Sequence, residues 1–248
     1  MRLFFEVAYK GTHYRGWQKQ NNAKSIQEEI NHALSTICRS EIEITGSGRT
    51  DAGVHCEQQF FHADVETTIS NSELLFKLNN MLPFDIAINS IKEVTPEAHA
   101  RFDAVSRSYE YRITAKKDAF NKELKYYFHK SLNIENMNRA AALLTSVEQD
   151  FECFSKVKTE VNNFRCTITE ALWKANDNSY VFHITANRFL RGMVRAIVGT
   201  LIEVGLEKKS IEEFSEIILK KDRKNAGRSV PAEGLFLTKV KYPATIFL

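Results

Sequence analysis

Gly46-Ser47-Gly48-Arg49-Thr50-Asp51-Ala52-Gly53-Val54-His55 is a stretch whose residue choice serves chemistry better than packing. Glycines at 46, 48 and 53 allow positive φ and close approach by another backbone, which a loop wrapped around a ligand needs. A strand is expected before it, Glu41 to Thr45, and another after it, Gln58 to Val65, so the loop belongs at the end of a sheet. On an extended segment Arg49 and Asp51 share one side and Thr50 takes the other. A long hairpin connection whose Asp and Thr bond the local backbone would use the same residue types.

Toward the N-terminus, Leu3 to Tyr9 is apolar and aromatic and reads as a central strand ending at Gly11. Thr12 to Gln20 then mixes rings with cations and amides, the composition of a surface that stacks on bases and holds phosphates, with Arg15 and Lys19 as RNA-facing candidates. Trp17 has an equal claim to plugging a core edge. Ser25, with Glu28 three residues on, opens a helix whose Ile26, Ile30, Ala33, Leu34 and Ile37 recur at helical spacing. On the other side of the loop come a short helix, Ser72 to Asn79, a break at Pro83, and a strand, Ile86 to Val94. Together these elements predict a mixed α/β layer resembling a split β-α-β unit.

The pattern changes around Thr95 to Asp103, which divides the chain into domains 1–103 and 104–248. Beyond it, Arg107, Tyr109, Tyr111 and Ile113 alternate along one face of a strand. A helix over Ile134 to Thr145 and a hairpin of Phe164 to Ala175 with Tyr180 to Asn187 follow. Asn187 to Gly199 reads as a helix buried against a sheet, with Arg188, Arg191 and Arg195 along one stripe. Arg195 is flanked by Val194, Ala196, Ile197 and Val198, and a cation in such company calls for an anion such as Asp51. A helix over Ile211 to Lys220 and a strand over Leu235 to Tyr242 complete the expected elements.

At 248 residues and 43% hydrophobic, the chain has material for one large or two small packed domains. No apolar run approaches the length of a membrane span, and Glu6 interrupts the N-terminus before a signal-peptide core can form, so a cytoplasmic protein is expected. Cys38, Cys56, Cys153 and Cys166 are scattered without zinc spacing, so reduced thiols and no metal are expected. The net charge of +3 is too small to establish a nucleic-acid partner by itself, but the bases gather near glycines and aromatics while the acids gather on helix faces. A lone carboxylate beside a guanidinium can act as a nucleophile or a general base. Residue types alone therefore lead as far as an RNA-associated enzyme using Asp51.

The block Gly48 to His55 resembles the signature of the tRNA pseudouridine synthase A (TruA) family. Tyr9 to Gln20 resembles that family's opening motif, His99-Ala100-Arg101-Phe102 and Arg107 to Tyr111 its middle motifs, and Met193 to Gly199 and Glu233 to Leu237 its closing ones. Six blocks in order over nearly the whole chain make the likeness specific. It implies two RRM-like or ferredoxin-like α/β halves of the α+β type, with mainly antiparallel sheets adjoining across a central cleft and helices outside. It implies a reaction that detaches uracil from ribose, rotates it and rejoins it through C5, without cofactor or metal. Asp51 takes the place of the essential aspartate, Tyr109 that of the tyrosine stacking on the target base, and Arg195 that of the arginine pairing with the aspartate. Arg49 matches a residue associated with the flipped-out nucleotide, and Leu235 falls in the closing motif as a further substrate-binding position. The implied substrate is the tRNA anticodon stem-loop at positions 38, 39 and 40, and the implied assembly a homodimer. The carboxylate's role, attacking sugar, attacking base or removing a sugar proton, stays open. Cys56, Arg188, Arg191 and Gly192 depart from the family's usual residues, which bears on RNA contacts and target choice. The competing readings are a pseudouridine synthase with another RNA target and a non-catalytic RNA-binding protein of the same fold.

Overall fold

The computed structural model describes residues 1–145, 147–156 and 163–248. In chain order the elements are β1 (Arg2–Tyr9), α1 (Ile26–Cys38), β2 (Thr45–Gly46), β3 (His55–Asp64), α2 (Asn71–Met81), β4 (Ile86–Glu93), β5 (Ser106–Thr114), β6 (Tyr126–Tyr127), α3 (Ile134–Ala142), β7 (Gln149–Asp150), β8 (Arg165–Cys166), β9 (Ile168–Asn176), β10 (Ser179–Ala186), α4 (Met193–Gly205), α5 (Ile211–Lys220) and β11 (Leu235–Lys241). The protein is thus mixed α/β with mainly antiparallel strand pairing. It divides into two compact units, Met1–Val105 with Phe236–Leu248, and Ser106–Leu235. The segment Phe236–Leu248, assigned from the sequence to the second domain, counts with the first unit.

In the first unit β1 pairs antiparallel with β3 on one side and β4 on the other. The succession β1-α1-β2-β3-α2-β4 with the order β4-β1-β3-β2 is a ferredoxin-like arrangement. The outer edge of β3 is shared. β2 takes its far half through Thr45↔His62 and Gly46↔Phe61, and β11 takes its near half, in parallel, through Phe236↔His55 and Leu237↔Cys56. The expected strand 41–45 is therefore corrected to two residues. Its remaining backbone is satisfied by side chains of α1: Ser35 Oγ accepts from Ile42 N (2.9 Å), Asn31 Oδ1 accepts from Ile44 N (3.1 Å), and Gln27 Nε2 donates to Ile44 O (2.9 Å). Three polar side chains on a helix do the work of a neighbouring strand.

Ser25 caps α1 by accepting from Glu28 N, and Ile26, Ile30, Ala33 and Leu34 are its buried stripe. On the sheet Phe5 and Phe61 are fully buried, their rings stacked with centroids 4.7 Å apart, and Phe4, on the other face of β1, is fully buried too. On the β3 side His62 is also enclosed, its Nδ1 accepting from Ala100 N (3.1 Å). Burial, then the neighbouring His99 and Arg2, lower its pKa to about 4. The unfolded chain takes up a proton at this residue near pH 6.5, whereas the folded one resists until about 4. Stability should therefore fall as pH drops through that window, and His62→Gln should flatten that part of a urea-melt series against pH; an unchanged slope would refute it.

In the second unit β10 lies between β5 and β9, antiparallel to both, and β6 runs parallel to β5. Tyr111, Ile113, Phe182 and Ile184 on the inner face are fully buried. Almost all of α4 is buried, while α5 begins with a full capping box between Ser210 and Glu213.

Candidate active site

The loop between β2 and β3 is tied down from three directions. Tyr9, at the end of β1, donates from its phenol to Gln59 Oε1 (3.2 Å) and shares a 2.8 Å bond with Thr50 Oγ1. Gln59 Nε2 in turn donates to Gly48 O (3.3 Å). The residues on either side of Arg49 are thus clamped through one buried tyrosine–glutamine pair. Trp17 N donates to Thr50 O (3.2 Å), Gly53 N to Tyr14 O (3.3 Å), and Gly11 N to His55 Nδ1 (3.1 Å). Close approach needs glycine at two points. A Cβ on Gly11 would lie 2.0 Å from Val54 O, and one on Gly16, whose φ is +99°, would lie 2.4 Å from Thr50 O.

These ties face Thr50 inward and leave its neighbours toward solvent, as the alternation expected for 49–51 requires. Thr50 is buried, Asp51 half-buried and Arg49 exposed. Asp51 O accepts from Val54 N (3.2 Å), closing a turn in which Gly53 has φ +76°. The carboxylate is carried on a short rigid turn with fixed struts on both sides.

In the preceding segment Arg15 and Lys19 are exposed. Of the two readings open for Trp17, core plug is the one observed, and Tyr14 is core as well. Trp17 is 1% exposed and lies against Tyr9, Phe61 and Gly46, where a Cβ would come within 2.6 Å of the indole. Tyr14 is also buried and donates to Asp85 Oδ1 (2.6 Å), and burial together with that bond raises its pKa. Neither the Trp17 nor the Tyr14 ring is left to stack on a base.

In the second unit Tyr111 and Ile113 form the buried part of β5, whereas Tyr109, nearer the strand's start, is half-exposed. Its ring meets Phe189 edge to face at 5.1 Å, which leaves an aromatic face held at a set angle. Arg107 on the same face donates to Asn187 O (2.9 Å). Arg195 lies in the first turn of α4 and is half-buried. Its Nε donates to Val230 O (2.7 Å) and its carbonyl accepts from Val230 N (3.2 Å), so backbone and side chain are pinned to one residue. Arg188 and Arg191 are not on this helix. Gly192 takes a left-handed φ of +72° immediately before Met193, so the helical stripe joining three arginines is corrected to one. Arg188 is half-buried and Arg191 exposed in the preceding loop, and Leu235 is buried at the start of β11.

A family model described as tRNA pseudouridine synthase matches residues 6–103 and 148–243. The chain belongs to the tRNA pseudouridine synthase family. It is 48% identical to the tRNA pseudouridine synthase A of Porphyromonas gingivalis, over 100% of this chain and 99% of that one. The corresponding protein of Bacteroides thetaiotaomicron is 46% identical over 99% of this chain and 92% of its own length. A Staphylococcus aureus protein of the same name is 34% identical over 97% and 90%.

For this member of the tRNA pseudouridine synthase family, the sequence reading missed the struts Tyr9, Gln59 and His55. Gln59 carried a usable signal, being a polar residue directly before Phe60 and Phe61 on an expected strand. It is fully buried, and such an amide needs a partner. Among the described residues no group of three or more His, Cys, Asp or Glu is placed to hold a metal ion, and no helix is long and apolar enough to cross a membrane.

Proposed function

We propose that this protein isomerises uridine to pseudouridine at positions 38, 39 and 40 of the tRNA anticodon stem-loop, with the Asp51 carboxylate as the essential group. The bond from ribose C1′ to uracil N1 breaks, the base turns, and C1′ bonds to C5. C5 gives up its proton and N1 gains one, so the reaction is redox-neutral and needs no co-reactant. Family membership and full-length relatives named tRNA pseudouridine synthase A support the reaction class.

The observation that carries the residue assignment is the tethering of the Asp51 turn by Tyr9, Thr50 and Gln59. A reacting carboxylate gains most when held at one geometry without reorganisation. In this reading Tyr109 offers its face to the everted uracil, Leu235 adds apolar wall, Arg195 keeps Asp51 ionised, and Arg49 engages the displaced nucleotide. Arg15, Lys19, Arg188 and Arg191 contact RNA phosphates, and the protein works as a cytoplasmic homodimer.

Three stem-loop RNAs, each with a C5-tritiated uridine at one of the three positions, test the target. Tritium should be released from each. Silence from all three, with release from another tRNA uridine, would move the site elsewhere.

A further inference from the structure

Between β5 and β6 the chain places Lys116, Lys117, Lys122 and Lys125 against two acids, Asp118 and Glu123. Lys116, Lys117 and Lys122 are exposed, and in their midst Phe120 stands 97% exposed. The loop is organised by its own acid. Asp118 Oδ1 accepts from Phe120 N (3.0 Å) and Asn121 N (3.2 Å), and Oδ2 accepts from Asn121 Nδ2 (2.8 Å). These bonds, the Asn121 side chain's first, hold the carboxyl below its usual range. Asn121 O accepts from Leu124 N (3.0 Å), and the loop's base is fixed by Ala115 N donating to Asn178 O (2.8 Å) and Thr114 Oγ1 donating to Lys116 O (2.8 Å). The result is a concavity whose lining includes Lys116, Lys117, Lys125 and Phe120 together with Asp118, three cations to one acid.

A solvated lysine face needs neither a fixed backbone nor a phenyl ring held out in water. A positive groove with a presented aromatic ring is the chemistry of nucleic-acid backbones, where cations meet phosphates and a ring meets a base. The loop also lies in 104–147, between the two stretches matched by the family model.

We propose that the 115–125 loop is a second RNA-contact surface, with its lysines on phosphates and Phe120 against a base, separate from the residues that handle the target uridine. This rests on tRNA being the substrate. The test is tRNA affinity over a series of salt concentrations for the full chain, for the triple variant Lys116→Ala/Lys117→Ala/Lys122→Ala, and for Phe120→Ala and Phe120→Trp. The triple variant should bind roughly ten-fold more weakly, and its log–log salt slope should be shallower by about 2 to 3. Phe120→Ala should lose roughly five- to ten-fold while Phe120→Trp retains affinity. Turnover at saturating tRNA should be unchanged in all of them. Unaltered affinity and slope in variants of a tRNA-binding parent would overturn the proposal. A parent that does not bind tRNA would instead overturn the substrate reading.

Discussion

Replacing Asp51 by Asn should lower turnover on tRNA by roughly 10³-fold while leaving the thermal melt unchanged and tRNA binding largely intact. The amide is nearly isosteric, and the bond that closes the turn, from Val54 N, goes to the Asp51 carbonyl. Nothing in the tethering through Thr50, Tyr9 and Gln59 depends on the carboxylate. What the substitution removes is the negative charge and the capacity to attack or accept a proton. The measurement is single-turnover tritium release alongside a filter-binding curve. Activity remaining within about ten-fold of the parent would leave the turn with a structural role only and return the protein to the class of RNA binders.

The largest loss of stability is expected from Trp17→Ala, roughly 3–5 kcal/mol in urea unfolding. The indole is almost fully enclosed, meets Tyr9 and Phe61, and lies so close to Gly46 that the backbone there has no room for a side chain. Removing it opens a cavity beneath the start of the Asp51 loop. Gly46 and the strut from Tyr9 then lose a packing partner, so turnover should fall with stability. A cost below about 1 kcal/mol would mean that the loop is supported from elsewhere.

These two sites also show what local pattern can and cannot reveal. The periodicity of Ile26, Ile30, Ala33 and Leu34 marked α1, and the capped run Ile211–Lys220 coincides with α5. Both rest on contacts within a few turns of one helix. The stretch 41–44 alternates like a strand, but its backbone partners are Gln27, Asn31 and Ser35, whose role emerges only once the helix is docked. Trp17 in a polar segment reads equally as platform or plug, and Gly46, Tyr9 and Phe61 decide for plug. Gly192 was visible as a glycine, but its left-handed backbone, which keeps Arg188 and Arg191 off α4, was not. The Asp51 turn was legible as a site because its glycines and charges have no packing rationale. Its supports, coming from β1 and β3, were not.

The return of Phe236–Leu248 to the first unit has a consequence for biosynthesis. Phe236 and Leu237 pair with His55 and Cys56, Tyr242 packs on Phe4 and Phe60 and donates to Ala100 O, and Phe247 bridges to Val94. The second unit is an insertion in sequence, complete by Leu235. During synthesis the earlier-made unit therefore waits with one edge of β3 half uncovered until the last residues are made, a departure from the usual N-terminal-first order. Nascent chains stalled before Phe236 should remain protease-sensitive in their oldest part.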